Sequence, residues 1–199
     1  MASTDPALRE RLLESAYACV ARFGMGKTTI DDVVKESGVS RATIYRVLPG
    51  GKDQLMREVV AWEMGRFFGA LAEAVAGAAD FASLVEEGLV FAHQAVEDHA
   101  VLQKVLVTEP ERLLPLLTTE QDRPLRFITG YLVPFLEREE REGRLAAGLE
   151  LEVAADYVAR MLLSLISSPG RWDLHDPEQV RLLVRGEILA GVLTPDALR

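Results

Sequence analysis

The stretch Thr28–Leu55, TTIDDVVKESGVSRATIYRVLPGGKDQL, decides the fold of this chain. It contains two short apolar segments, each beginning after a hydroxyl residue, Thr29 and Ser40, that can cap the free N–H groups of a helix N-terminus. Gly38 separates the two segments, and a Pro-Gly-Gly turn starting at Pro49 ends the second. Two capped helices joined by a glycine turn are the elements of a helix-turn-helix.

The same stretch divides into a buried and an exposed side. The predicted core consists of its apolar positions, which are Ile30, Val33, Val34, Val39, Ile44 and Leu48. The second helix then exposes a set of residues suited to the major groove of DNA, namely Arg41, Ala42, Thr43, Tyr45 and Arg46. Arginine can read guanine edges, Ala and Thr methyl groups can pack on thymine, and Tyr and Arg can bind phosphates. Lys52 follows at the start of the next helix, and Lys27 with Thr29 precedes the first one, so both places predict phosphate contacts.

Outward from this stretch, the chain keeps the helical period and shows no sustained strand alternation. Leu8, Leu12, Ala16, Val20 and Phe23 predict the apolar stripe of a first helix. After a long helix from Asp53 to about Ala78, we expect helices at about 81–98, 100–107, 110–117, 122–142, 150–167 and 176–193. The predicted fold is all-α: an N-terminal three-helix bundle with the helix-turn-helix, and a C-terminal bundle of about six helices with a dimerisation face.

The run from Phe23 to Arg46, followed by Lys52 and Leu55, resembles the N-terminal domain of the TetR/AcrR family of transcriptional regulators. The resemblance covers about residues 9–57 and beyond about residue 60 concerns only the number and order of helices. It implies DNA-contact positions at Thr29, Arg41, Ala42, Thr43, Tyr45, Arg46 and Lys52, with Lys27 as a further candidate. Leu48 stands where the family commonly has Phe, and the turn before Lys52 is one residue longer than usual, which leaves the contact of Lys52 open.

The resemblance also implies a homodimer that binds a palindromic double-stranded DNA operator and, in most members, represses until a small molecule releases it. We therefore predict a DNA-binding domain at 1–52 and a ligand-binding and dimerisation domain at 53–199. A small apolar effector is expected in a pocket walled by Trp62, Phe67, Phe91, Phe127, Tyr131 and Met161. The homodimer contact is expected in residues about 150–193, which are rich in Leu, Val, Ala and Met and include Gly186 and Gly191.

Composition limits the other possibilities. The net charge is −9, but residues 1–60 carry nine Lys/Arg against eight Asp/Glu, whereas residues 61–199 carry thirteen against twenty-three. One cysteine excludes an intramolecular disulfide framework, and Cys19 is expected to be a small buried residue. No apolar run is long enough to cross a bilayer and the first residues lack a signal-peptide block, so we expect a cytoplasmic protein without membrane contact.

No cofactor and no metal site are expected. His93 and Glu97 share a helix face, and His99 is nearby. These residues supply two convergent ligands at most, whereas a metal site needs three or four. His175 is expected in a solvated loop, and the charged run from Glu137 to Arg144 at a solvated helix end.

Two other classes of function fit the sequence less well. An enzyme would need a nucleophile, base or metal cluster, and none stands at diagnostic spacing, so the chain is predicted not to be one. A pure interaction protein would leave the run from Arg41 to Lys52 unexplained. An activator, or a repressor that needs no effector, remains an alternative to the ligand-released repressor.

Overall fold

The computed structural model describes residues 5–113 and 122–199. The fold is all-α, as predicted, and the β-type pairing in the described residues is limited to one isolated antiparallel bridge between Leu145 and Leu193. None of the described helices has both the length and the apolarity of a membrane span. The helices are α1 (Pro6–Phe23), α2 (Ile30–Ser37), α3 (Arg41–Val47), α4 (Gly51–Ala74), α5 (Phe81–Glu97), α6 (Ala100–Thr108), α7 (Asp122–Arg141), α8 (Leu151–Ser167) and α9 (Pro177–Leu183).

Residues 110–113 are also helical, but the rest of the helix expected at 110–117 lies outside the described residues.

The chain forms two compact units. Among the described residues, unit 1 comprises 5–68 and 99–113, and unit 2 comprises 69–98 and 122–199. Helix α4 contains residues of both units. The domain boundary after residue 52 remains a prediction.

Unit 1 is built around the apolar faces of α1, α2 and α3. Leu12, Val33, Ile44, Leu48 and Leu55 are almost completely buried in one cluster, which also takes in Val105 of α6. All six predicted core positions of the helix-turn-helix belong to this cluster or pack against it. Burying these side chains stabilises the angle between α2 and α3, because each fully buried aliphatic residue contributes about 1.5–3 kcal/mol.

Helix α1 shows one agreement and one correction. Cys19 is completely buried, and burial raises the pKa of its thiol, as expected for a packing residue rather than a reactive one. Phe23, predicted in the apolar stripe, is instead 46% exposed at the last position of the helix. The side chain of Arg22 lies over its ring, 5.4 Å from the centroid. The stripe ends at Val20 because Gly24 turns the chain immediately after Phe23.

Unit 2 packs α7 against α8, and α5 against α8 and the C-terminal segment. Leu132 and Leu136 of α7 and Ala155 and Val158 of α8 are buried, and α7 continues through Pro134 to Arg141. The charged end of α7 is not wholly solvated, which corrects the expectation for the run from Glu137 to Arg144. Glu139 is 3% exposed and accepts two hydrogen bonds from the Arg144 guanidinium, at 2.6 and 3.0 Å.

The last predicted helix, 176–193, is also corrected. Helix α9 begins after Asp176, whose side chain accepts from the N–H of Glu178, and ends at Leu183. A π-helical turn, Val184–Ile188, follows, and Leu189 donates to the carbonyl of Val184. The extra residue in that turn keeps Val184, Ile188 and Leu189 all buried, which a regular 3.6-residue period would not predict.

Candidate nucleic-acid interface

Helix α3 presents one side to the core and the other to solvent. Ile44 is fully buried and Val47 nearly so, whereas Arg41, Ala42, Tyr45 and Arg46 are exposed. Thr43 is partly buried, and its N–H and hydroxyl both contact the Ser40 hydroxyl, at 3.2 and 3.0 Å. The five sequence-predicted contact residues of α3 therefore form one surface, which we call the α3 face.

Local hydrogen bonds set the positions of the two helices. At the start of α2, Thr29 and Asp32 form a capping box: the N–H of Asp32 donates to the Thr29 hydroxyl at 3.2 Å, and the N–H of Thr29 donates to Asp32 Oδ2 at 2.9 Å. The hydrogen bonds from Thr29 lower the pKa of the Asp32 carboxyl. Gly38 ends α2 in the left-handed conformation, with φ +67°, and Ser40 then caps α3. The turn and both caps lie within twelve consecutive residues, so the chain encodes them locally.

The α3 face is partly preorganised by its own charges. The Arg41 guanidinium lies 3.3 Å from Asp31 of α2 and over the ring of Tyr45, 6.0 Å from the centroid. Both charged side chains of the Arg41–Asp31 pair are more than half exposed, so the pair contributes little to stability. The Arg41 guanidinium can therefore exchange Asp31 for another anionic partner at small cost.

The positions flanking the helix-turn-helix differ from one another. Lys27 and Thr29 are exposed, in the turn between α1 and α2 and at the N-terminus of α2. Lys52 is only half-exposed, and its ammonium donates to the carbonyl of Gly26 at 2.7 Å. The predicted phosphate contact of Lys52 stays a prediction; in this structure the ammonium holds the α1–α2 turn.

Sequence reasoning missed a carboxylate that holds the same turn. The N–H of Gly26 donates to Glu109 Oε2 at 2.5 Å, although the two residues are 83 positions apart. Lys104, also in the second segment of unit 1, donates to the carbonyl of Ala21 at 2.8 Å. Local sequence does not predict such contacts. A glutamate or a lysine in an amphipathic segment gives the same sequence pattern whether its side chain faces solvent or bonds to a distant backbone group.

The structure distributes the predicted pocket residues over the two units. Trp62 and Phe67 belong to unit 1, where Trp62 lies edge-on to Tyr17 with ring centroids 6.1 Å apart. Phe91, Tyr131 and Met161 are half-buried in unit 2, and Phe127 is 48% exposed. Their common role as a pocket wall remains a prediction.

Comparison with known proteins agrees with this site. Residues 12–59 match the model of bacterial regulatory proteins of the TetR family. Two Mycobacterium tuberculosis proteins, each described as an uncharacterized HTH-type transcriptional regulator, are 40% identical over 52 residues. That segment is 26% of this chain and 27% of theirs, so the chain matches about a quarter of the length of these relatives.

Solved structures share the fold over almost the whole chain. A Mesorhizobium loti protein assigned to the TetR family superposes with a TM-score of 0.63 at 16% identity, covering 96% of this chain and 100% of that one. The structure of SmeT in complex with triclosan superposes with a TM-score of 0.60 at 19% identity, covering 96% of this chain and 94% of SmeT. SmeT is described as the repressor of a multidrug efflux pump of Stenotrophomonas maltophilia.

At such identities the likeness concerns the fold, while the sequence match concerns the DNA-binding segment. The two agree, because the matched residues are those that form α2, α3 and the α3 face. The Mycobacterium tuberculosis relatives carry the description of transcriptional regulators over the same segment. The chain is therefore similar to the TetR family of DNA-binding transcriptional regulators, in sequence over residues 12–59 and in fold over almost its whole length.

Proposed function

We propose that the protein is a ligand-released repressor that binds a palindromic operator as a homodimer. The observation that carries this proposal is the α3 face: two arginines, a tyrosine and an alanine are exposed, and a threonine is partly exposed, on a helix whose other side is fixed in the core. One α3 helix reads one half-site, so a two-fold symmetric pair would read half-sites about 34 Å apart.

The surface of unit 2 supports the homodimer. Val153 and Tyr157 are 56% and 41% exposed, one turn apart on α8, and Leu182 on α9 is 62% exposed. All three lie in the segment 150–193 predicted to hold the dimer contact. Large apolar side chains gain roughly 25 cal/mol for each Å² removed from water, so a second copy that covers them would be stabilised.

The effector is proposed to be a small apolar molecule bound among the half-buried aromatic and thioether side chains of unit 2. Phe91, Tyr131 and Met161 supply such surface, and the Tyr131 ring packs against Phe135 with centroids 5.4 Å apart. The likeness in fold to SmeT, solved with triclosan, supports a ligand of this class. Release requires that the effector bind the non-DNA-binding conformation more tightly, since equal affinity for both shifts nothing.

The first experiment is selection of bound sequences from a random DNA library, followed by titration of the selected site and unrelated DNA at two salt concentrations. We expect a palindromic site that stays bound at physiological salt. Equal, salt-abolished binding to both DNAs would be the nonspecific phosphate effect alone and would contradict the proposal. A reporter carrying the selected site then gives the sign of regulation: increased expression would make the protein an activator.

Matched variants assign the binding to the α3 face. Arg46→Ala is expected to weaken binding to the selected site by about 1–3 kcal/mol, which is roughly 5- to 150-fold. Arg66→Ala removes the same charge from a 60% exposed side chain of α4 and is expected to leave the affinity within about twofold. Equal losses in both variants would mean that overall charge, and not the α3 face, controls affinity.

Sedimentation analysis tests the dimer. Val153→Glu with Tyr157→Glu places two carboxylates on the exposed side of α8 and is expected to convert a dimer into a monomer with unchanged helix content. Leu182→Glu tests whether α9 belongs to the same interface. A wild-type protein that sediments as a monomer at micromolar concentration would contradict the homodimer.

A further inference from the structure

Three side chains with metal-ligating atoms converge in unit 2, at the C-terminal end of α5. His93 and Glu97 lie one turn apart on α5, and His175 comes from the loop between α8 and α9. His175 Nε2 is 3.0 Å from Glu97 Oε2, and His93 Nε2 is 3.5 Å from Glu97 Oε1. Ligating atoms of the three residues all lie within 4.8 Å of one another, and among the described residues this is the one such group.

These distances suit a single small ion. Nitrogen and oxygen ligands about 2.0–2.2 Å from a tetrahedral Zn²⁺ are about 3.3 Å apart, close to the two separations between Glu97 and the histidines. Glu97 and His175 are both about half exposed, at 48% and 56% of their side-chain surface, so small rotations can close the remaining distance. The third ligand, absent from the sequence-based count of two, comes from a loop 78 residues away from Glu97.

The buried member of the group is already oriented. His93 is 7% exposed, and its Nδ1 lies 3.0 Å from the carbonyl oxygen of Ile166 at the end of α8. A carbonyl oxygen can only accept, so Nδ1 carries the proton of this hydrogen bond, and Nε2, on the side of the ring near Glu97, is the nitrogen available to a metal ion. Metal-binding histidines commonly donate their second N–H to a carbonyl or carboxylate in this way, which fixes the tautomer needed for ligation.

The loop that carries His175 is also held in place. The His175 N–H donates to Asp173 Oδ1 at 2.9 Å, and the Asp173 N–H donates to Gln179 of α9 at 3.1 Å. The α5 terminus adds a favourable field, because the carbonyl end of a helix carries partial negative charge that attracts cations. A carboxylate pairing with one exposed histidine would need neither the buried His93 nor its link to Ile166.

We propose that His93, Glu97 and His175 form a binding site for a divalent transition-metal ion, with Zn²⁺ as the preferred ion. Two imidazoles and one carboxylate favour Zn²⁺ over Mg²⁺ or Ca²⁺, which take oxygen ligands. Three protein ligands leave one position for water or a small anion. The bound ion joins the end of α5 to the loop before α9 and thereby stabilises unit 2. The site is independent of the α3 face, so it stands whether or not the protein is a repressor.

The test uses tag-free full-length protein, stripped with a chelator and titrated with Zn²⁺ by calorimetry and with Co²⁺ by visible absorption. We expect one bound ion per chain and a Co²⁺ absorption spectrum typical of nitrogen and oxygen ligation. We also expect a higher Tm of the protein in the presence of Zn²⁺. Mg²⁺ is expected to produce no change at equal concentration. Absence of Zn²⁺ binding, or tighter binding of Mg²⁺, would overturn the proposal.

Variants at the two exposed ligands keep the test independent of folding. Glu97→Gln and His175→Ala are each expected to weaken Zn²⁺ binding at least tenfold and to abolish the Zn²⁺-dependent gain in Tm, with the metal-free Tm little changed. His99→Asn is the matched control: it removes an imidazole two residues from Glu97 but keeps an acceptor for the Leu102 N–H that His99 now caps. Zn²⁺ binding that survives both ligand variants, or that is lost with His99→Asn, would overturn the assignment.

Discussion

The α3 face of unit 1 and the His93–Glu97–His175 group of unit 2 collect polar side chains in opposite ways. The α3 face takes its side chains from consecutive turns of one helix, whose caps and glycine turn are neighbours in the chain. The group in unit 2 joins an α5 face to a loop 78 residues later, and its buried histidine bonds to a carbonyl 73 residues away. Functional groups encoded locally can be read from one sequence, whereas groups joined by tertiary packing cannot.

The largest expected effect tests whether the α3 face depends on the core beneath it. Ile44→Ala removes a fully buried side chain between α2 and α3 and is expected to lower the free energy of unfolding by about 2–5 kcal/mol. DNA binding should fall with it, because the angle of α3 is lost. Tyr45→Ala, one residue along on the exposed side, is expected to cost less than about 1 kcal/mol in stability. Denaturant unfolding measures both, and equal losses would contradict the two-sided description of α3.

A smaller loss of stability is expected at Glu139, the buried carboxylate of unit 2. Its burial and its pairing with Arg144 result from tertiary contacts and not from local sequence. Glu139→Gln replaces an acceptor of two charged hydrogen bonds from Arg144 and is expected to cost about 1–3 kcal/mol. Arg144 is one-third exposed and also contacts Glu142, so the loss stays below that for a fully buried pair. Glu140→Gln, exposed on the next residue, should change stability by less than about 0.5 kcal/mol. Identical values would show that Glu139 is solvated after all.

Removing the local helix cap at Thr29 in unit 1 should cause a smaller loss of stability. Thr29→Ala deletes the hydroxyl that accepts the Asp32 N–H and is expected to cost about 0.5–2 kcal/mol. Thr29→Ser keeps the acceptor and should restore most of that stability. If serine behaved like alanine, the methyl group of Thr29 and not its hydroxyl would be the stabilising feature. Thermal unfolding of the three proteins at pH 7 separates these outcomes.

The smallest effect is a pH dependence of the same cap. Hydrogen bonds from Thr29 lower the pKa of Asp32 in the folded chain, so its contribution is present above the unfolded pKa of about 3.9 and is lost as pH falls through the lower folded pKa. The stability difference between wild type and Thr29→Ala should therefore shrink between pH 5 and pH 2. A stability difference that stays constant or grows on acidification would contradict the role of Asp32 in the capping box.

Much of unit 1 could be predicted because its signals are short-range. Hydroxyl caps, Gly38 and the apolar period of α2 and α3 each act within about one helical turn, and all of them agree. Phe23 was misplaced because periodicity does not show where a core ends. The π-helical turn after Leu183 was missed because apolar period alone does not distinguish it from a continued α-helix. Glu109 and His175 lacked any local signal, since their partners lie 83 and 78 residues away.

The sequence by itself determined the all-α class, the helix-turn-helix with its buried and exposed positions, and the likeness of residues 12–59 to the TetR family, because capping, turn geometry and helical period depend on neighbouring residues. Only the tertiary structure decided that Lys52 and Glu109 hold the turn at Gly26, that Glu139 is buried with Arg144, and that His175 meets His93 and Glu97. The reason is physical: a charged or imidazole side chain has no intrinsic preference for one distant partner. Its partner is chosen by the packing of the apolar faces that bring two segments together.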